Sequence, residues 1–110
     1  MTADAVPEVD LHTFAAAHAA GAVVLDVRTV EEYQSGHVPG ATLIPLDQLA
    51  ARQDEIPGAA PLYVICAAGG RSLTAAAALN QAGYRAVSVA SGTNGWREQG
   101  WSLVSGSSPH

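Results

Sequence analysis

The sequence predicts a single α/β domain with a central, mostly parallel sheet of about five strands and helices on both faces. Two observations carry this. Short apolar runs of strand length, rich in Val, alternate along the chain with stretches of helical patterning. Strands separated by helices pair in parallel, and both faces of the sheet are then covered. The chain also has 110 residues, of which 48% are hydrophobic and 14% charged. That suits one globular domain burying somewhat over about 60% of its unfolded surface, and leaves no room for a second.

The elements follow in order. Asp10 is placed to cap a helix over Leu11 to Ala20, and Ala22-Val23-Val24-Leu25 is a strand leading into Asp26. Thr29 with Glu32 three residues later makes a capping box for a short helix. After a turn from Gly36 to Gly40 comes a strand at Thr42-Leu43-Ile44, then a helix from about Leu46 to Gln53. Leu62-Tyr63-Val64-Ile65 is a buried strand ending at Cys66, and Ser72 to Ala82, with its alanines and leucines, is a helix. Ala86-Val87-Ser88-Val89 is a strand, followed by a last helix around Trp96 to Gln99. Residues 1–104 are read as the domain, and Ser105-Gly106-Ser107-Ser108-Pro109-His110 as a flexible tail. In such a sheet ligands bind beyond the carboxyl ends of the strands, where Asp26 and Cys66 both lie.

Cys66 is the only cysteine, and Ala67-Ala68-Gly69-Gly70-Arg71-Ser72 follows it at once. A loop between a strand and a helix N-terminus aims backbone N–H groups at its own centre. The helix end adds roughly half a positive charge, which favours a thiolate over the neutral thiol. Gly69 and Gly70 can take positive φ and put no Cβ in the way, so the loop can curl into a nest of inward donors. Ala67 and Ala68 leave the rim open. Arg71 offers a forked cation to an oxyanion or to a carboxylate that braces the loop, and Ser72 is placed to cap the helix. A small buried residue ending a core strand is the plainer reading of a lone cysteine. The two glycines and the arginine argue against it, and the thiol is expected to be reactive.

The loop Cys66-Ala67-Ala68-Gly69-Gly70-Arg71-Ser72 resembles the active-site loop of rhodanese-like sulfurtransferases, Cys-x-x-Gly-x-Arg-Ser. Other landmarks of that family stand in order along nearly the whole chain. They are Leu25-Asp26-Val27-Arg28, Glu31-Glu32-Tyr33, Gly36-His37-Val38-Pro39-Gly40-Ala41 running into Ile44-Pro45, and Gly92-Thr93-Asn94-Gly95-Trp96. Ser91 departs from the pattern where the first of two glycines is frequent, and Leu43 where asparagine is common. The resemblance implies a single rhodanese-like domain and a ping-pong reaction needing no cofactor. Cys66 takes sulfane sulfur from a small anionic donor such as thiosulfate, holds it as a persulfide, and passes it to cyanide or a thiol. A sulfur-carrier protein is a further candidate partner. Cys66 is the catalytic residue, Ala67, Ala68, Gly69, Gly70 and Arg71 form the substrate cradle, and Asp26, Arg28 and Ser72 support it. Ala67 and Ala68 match neither the basic residues of thiosulfate users nor the Cys-Gly-Ser-Gly or Cys-Gly-Thr-Gly start of mercaptopyruvate users. Thiosulfate stands as the default donor, with a protein persulfide or polysulfide beside it.

Composition closes other routes. A net charge of −5 argues against nucleic acid or an anionic membrane surface as partner. All five basic residues are arginines, so Schiff-base and P-loop lysine chemistry are excluded. One cysteine leaves no resolving thiol and points to a reducing cytoplasm. The N-terminus shows no signal-peptide pattern, and no stretch approaches the roughly 20 apolar residues of a membrane span. His12, His18 and His110 have no metal-ligand spacing, and His37 is read as a structural hydrogen-bonding residue in its turn. Trp96 is read as a core plug and Trp101 as the cover of an edge. Two other classes share such a fold. Cysteine phosphatases and arsenate reductases have five residues between Cys and Arg, whereas four intervene here, giving a cradle sized for one sulfur atom. Non-catalytic regulatory modules often lose the cysteine, which this chain keeps.

Overall fold

The computed structural model describes residues 6–110. Residues 1–5, on which the expectation of no targeting segment rests, lie outside them. Among the described residues, five strands form one sheet in the order β1-β5-β4-β2-β3. They are β1 (Glu8–Val9), β2 (Val23–Asp26), β3 (Thr42–Leu43), β4 (Leu62–Ile65) and β5 (Ala86–Val89), and every pairing is parallel. β2 and β4 run side by side at the centre, from Val23 opposite Leu62 to Asp26 opposite Ile65. Both faces of these strands are covered, which is why they read as continuous apolar runs instead of alternating ones.

Among the described residues, four helices cover the sheet: α1 (Leu11–Ala19), α2 (Val30–Ser35), α3 (Gly70–Gln81) and α4 (Gly92–Glu98). On one face, Leu11, Phe14, Tyr33 and Trp96 pack with Val24, Ile65 and Val89. On the other, Ala75, Ala76 and Leu79 of α3 meet Leu25, Val64 and Ala86. Asp10 caps α1 by accepting from the Thr13 N–H, and Thr29 and Glu32 form the expected capping box on α2. Trp96 is a core residue, as read, and donates its indole N–H to the Ser102 carbonyl. Trp101 stacks edge-on against it at 4.9 Å. No helix among the described residues is long and apolar enough to cross a membrane.

Four local features differ from the sequence reading. β1 was not legible, since two residues carry no periodicity; its place comes from pairing Glu8 with Ser88 and Val9 with Val89. The helix expected from Leu46 to Gln53 is instead two 3₁₀ turns, Leu46–Gln48 and Gln53–Glu55. Leu46 and Leu49, three apart, both pack on the α3 side, and a 3₁₀ turn eclipses residues at that spacing. α3 and α4 begin earlier than Ser72 and Trp96, because residues with positive φ start them, Gly69 at +112° and Ser91 at +68°. The segment read as a flexible tail lies along the Gln34 to Gly40 turn. Gly106 donates to the Gln34 carbonyl at 2.8 Å and Gly40 to that of Pro109 at 2.8 Å. The His37 ring fits the structural role read for it, with its two nitrogens 2.8 Å from the Tyr33 and Ser108 carbonyl oxygens.

The step from β5 into α4 is tight. Gly92 follows Ser91 with φ of +56°, and a Cβ there would press on the Cys66 and Ala67 carbonyl oxygens, at 2.7 Å from the second. Gly92→Ala is therefore expected to destabilise the fold by about 2–4 kcal/mol, combining left-handed strain with forced displacement of packed backbone. Urea unfolding measures this, and a loss below about 1 kcal/mol would contradict the close approach.

Candidate active site

Cys66 directly follows β4, at the carboxyl end of a central strand. The chain turns there because its carbonyl groups are held from outside. Thr93 N–H donates to the Cys66 carbonyl at 2.8 Å, and Asn94 N–H to the Ala67 carbonyl at 2.9 Å. With the acceptors facing α4, the donors face inward. Gly69 N–H points at the Cys66 sulfur at 3.1 Å. Gly69 sits at the cap position of α3 with no side-chain cap, so the helix's first N–H groups remain available to the loop. The sulfur lies at the bottom of the cradle, with Cys66 only 1% exposed, while Ala68 and Gly70 form the open rim.

Burial pushes the Cys66 thiol up, and its hydrogen bonds oppose this. The Ser72 hydroxyl and the backbone N–H groups of Ser72, Gly69 and Ala68 outweigh the burial and leave the thiol below its ordinary value. Ser72 is not the cap that its position in the sequence implied. It is the third residue of α3, fully buried, and its hydroxyl donates to the Gly69 carbonyl at 3.1 Å. The same oxygen lies 3.5 Å from the Cys66 sulfur and 2.7 Å from the Ser88 hydroxyl.

Arg71 points along the rim to α2. Its guanidinium makes a forked pair with Glu32, at 2.7 and 2.9 Å. Glu32 is thus shared between two tasks, since its Oε1 also accepts from the Thr29 N–H at 3.0 Å. Beside Arg71 a groove of about 270 Å³ opens, walled by Val27, Pro45 and Leu46, with Asp47 on its edge. Asp26 and Arg28 stand one strand away and form a buried ion pair of their own. The Arg28 guanidinium donates to Asp26 at 2.8 to 3.1 Å and reaches the Gly36 carbonyl at 2.9 Å. That pair ties the end of β2 to the turn before β3, and no hydrogen bond joins it to Cys66 among the described residues.

Three contributors escaped the sequence reading. Glu32 is visible in the sequence as half of a capping box and within the Glu31-Glu32-Tyr33 landmark, neither of which points to Arg71; that pairing, 39 residues away, is tertiary. Ser88 leaves one faint signal, a polar residue inside the apolar run of β5. Gly92-Thr93-Asn94 stands out as a motif, with nothing to show that it receives the carbonyls of the Cys66 loop.

The Arg71 hydrogen bonds, opposed by burial and helped by Thr29, hold the Glu32 carboxyl down to about 2. A carboxyl with a depressed folded-state value contributes stability that is complete above its unfolded value of about 4.5 and is lost as pH falls toward 2. Both side chains are more than a third exposed, at 37% and 35%, so screening keeps the contribution below about 1 kcal/mol. Glu32→Gln preserves the capping box and removes the charge. Its stability deficit in urea unfolding is expected at pH 7 and should close between pH 4.5 and 2; a deficit constant across that range would rule out the ion pair.

Comparison with known proteins gives the same answer from three sides. The Rhodanese-like domain family matches residues 10–99. Among curated proteins, the Putative sulfur carrier protein YrkF of Bacillus subtilis is 38% identical over 74 residues, 66% of this chain and 40% of that protein. A sulfurtransferase of Allochromatium vinosum is 32% identical over 83 residues, 74% of this chain and 78% of that protein. Among solved structures, a rhodanese-related protein from Thermoplasma volcanium superposes with a TM-score of 0.82 at 30% identity, covering 89% of this chain and 97% of the other. The chain spans under half of the first of these relatives and most of the other two. The family match together with the fold and the Cys66 cradle establish that this chain belongs to the rhodanese-like domain family.

Proposed function

We propose that this domain is a sulfurtransferase that carries sulfane sulfur on Cys66 as a persulfide, from thiosulfate or another persulfide donor to cyanide or a thiol. The observation that carries this reading is the set of N–H donors turned onto the sulfur, led by Gly69 at 3.1 Å. In the first half-reaction the Cys66 thiolate attacks the outer sulfur of thiosulfate. A new S–S bond forms, the old one breaks, and sulfite leaves with the bonding pair. In the second, the acceptor attacks the outer sulfur of the persulfide, and Cys66 departs as thiolate. The negative charge therefore moves from the inner to the outer sulfur and back. The preorganised N–H donors of Ala68, Gly69 and Ser72 stabilise each anionic state at no cost of reorganisation.

The relatives' names support the reaction class. One is called a sulfurtransferase and another a putative sulfur carrier, so a sulfur-carrier protein stands among the proposed partners. A thiosulfate sulfurtransferase, GlpE of Pseudomonas entomophila, is 37% identical over 83 residues. The groove beside Arg71 offers apolar walls for the organic part of a thiol or persulfide. Asp26, Arg28 and Ser72 act as supports, and a reducing cytoplasm suits a free thiol that must cycle through a persulfide.

Two variants test the reading. Cys66→Ser is expected to abolish sulfur transfer from thiosulfate to cyanide, and mass spectrometry of the wild type after exposure to a donor should find one added sulfur on Cys66. Transfer persisting in the variant, with the fold intact by circular dichroism, would sink the mechanism. Arg71→Ala should lower kcat/KM by about ten- to a hundredfold with thiosulfate and with an organic persulfide alike, because its pairing with Glu32 braces the loop. A rise in KM confined to thiosulfate would assign the guanidinium to donor recognition instead.

A further inference from the structure

We propose that Ser88, on β5 and outside the Cys66 loop, is a positioning residue that orients the Ser72 hydroxyl and through it holds the Cys66 sulfur in its anionic form. This role rests on the sulfurtransferase reading for its purpose, although the reactivity of Cys66 can be measured with no sulfur donor present. Ser88 is fully buried, and Ser72 Oγ, at 2.7 Å, is the one hydrogen-bond partner of its hydroxyl among the described residues.

Ser72 has one hydroxyl proton and two lone pairs to share among three neighbours: the Gly69 carbonyl at 3.1 Å, the Ser88 hydroxyl at 2.7 Å and the Cys66 sulfur at 3.5 Å. The Gly69 carbonyl only accepts. While Cys66 is a thiol, its S–H donates to Ser72, Ser72 donates to Gly69, and Ser88 donates to Ser72. Once Cys66 is a thiolate the sulfur only accepts. The Ser72 proton then swings from the Gly69 carbonyl to the sulfur, and that carbonyl keeps its bond from the Leu73 N–H at 3.3 Å. Ser88 is now the sole donor to Ser72. The chain from Ser88 through Ser72 to sulfur runs in one direction, and each bond polarises the next.

Removing the Ser88 hydroxyl takes away one of two donors to Ser72 in the thiol state and the only one in the thiolate state. The loss falls harder on the thiolate. A buried oxygen left without a donor is costly, so the thiol must titrate at higher pH in the variant.

The test is the pH dependence of Cys66 alkylation by iodoacetamide. Ser88→Ala is expected to react about three- to tenfold more slowly at neutral pH, the size of one neutral hydrogen bond, with its profile moved to higher pH. Ser88→Thr keeps a hydroxyl and should stay within about twofold of the wild type. In a Ser72→Ala background, adding Ser88→Ala should change nothing further, since the intermediary is gone. A folded Ser88→Ala with the wild-type profile would overturn the assignment. So would equal slowing by both Ser88 variants, or a full effect that survives without Ser72. A second measurement needs no variant: the proton resonance of the buried Ser88 hydroxyl should shift as Cys66 titrates, and its invariance would equally overturn the role. A reactive Cys66 that accepts no sulfur would instead count against the sulfurtransferase reading alone.

Discussion

The Cys66 loop depends on where its carbonyl groups go. A curl of backbone this short must turn its acceptors to one side and its donors to the other, and buried polar groups on both sides need partners. Here the first N–H groups of α4 take the Cys66 and Ala67 carbonyls, which leaves Gly69 and its neighbours facing the sulfur. The approach is close enough that the residue at position 92 has no room for a side chain, and Ser91 before it accepts a left-handed backbone to make the turn. β5 and α4 thus act as the mould for a loop that belongs to β4 and α3.

Charge is arranged around this mould in a consistent way. The chain carries an excess of acid, and both arginines near the site are paired with carboxylates, Arg28 with Asp26 and Arg71 with Glu32. The field that favours an anion at Cys66 therefore comes from the Ser72 hydroxyl and from the backbone N–H groups of Ser72, Gly69 and Ala68. The backbone dipoles among these are held in place by the fold itself. The two ion pairs do mechanical work at different depths. The buried Asp26–Arg28 pair anchors the end of β2 to the Gly36 turn, where removing either partner would leave an uncompensated charge in the core. The Arg71–Glu32 pair spans the rim, linking the start of α3 to the start of α2.

Local chemistry was legible wherever it is written in contiguous residues. Asp10 and the Thr29–Glu32 capping box start their helices as read, and the four strand runs read from the sequence contain β2 to β5. Where a tertiary contact competes with local preference, the reading failed. Leu46 to Gln53 has helical composition, but two leucines directed at the α3 side make 3₁₀ turns the better fit. Ser72 looks like a cap, yet burial against Ser88 draws it into the helix and toward the sulfur. The final residues have the composition of a loose tail, and the Gln34 to Gly40 turn supplies backbone partners that composition does not reveal.

The amino-acid sequence alone marked the fold class and singled out Cys66 and the loop after it as the candidate site, because strand and helix periods, the two glycines and the placement of Cys66 after a buried run are all local. It also determined the family resemblance, whose motifs stand in order along the chain. Tertiary structure alone decided what presses on that loop: Glu32 for Arg71, Gly92-Thr93-Asn94 for its carbonyls, and Ser88 for Ser72. Each of these partners lies 16 or more residues away, as with Ser72 and Ser88, or 39 away, as with Glu32 and Arg71. A parallel sheet joins its strand ends only through crossovers of this length, so groups that meet at its carboxyl edge are distant in the chain by construction.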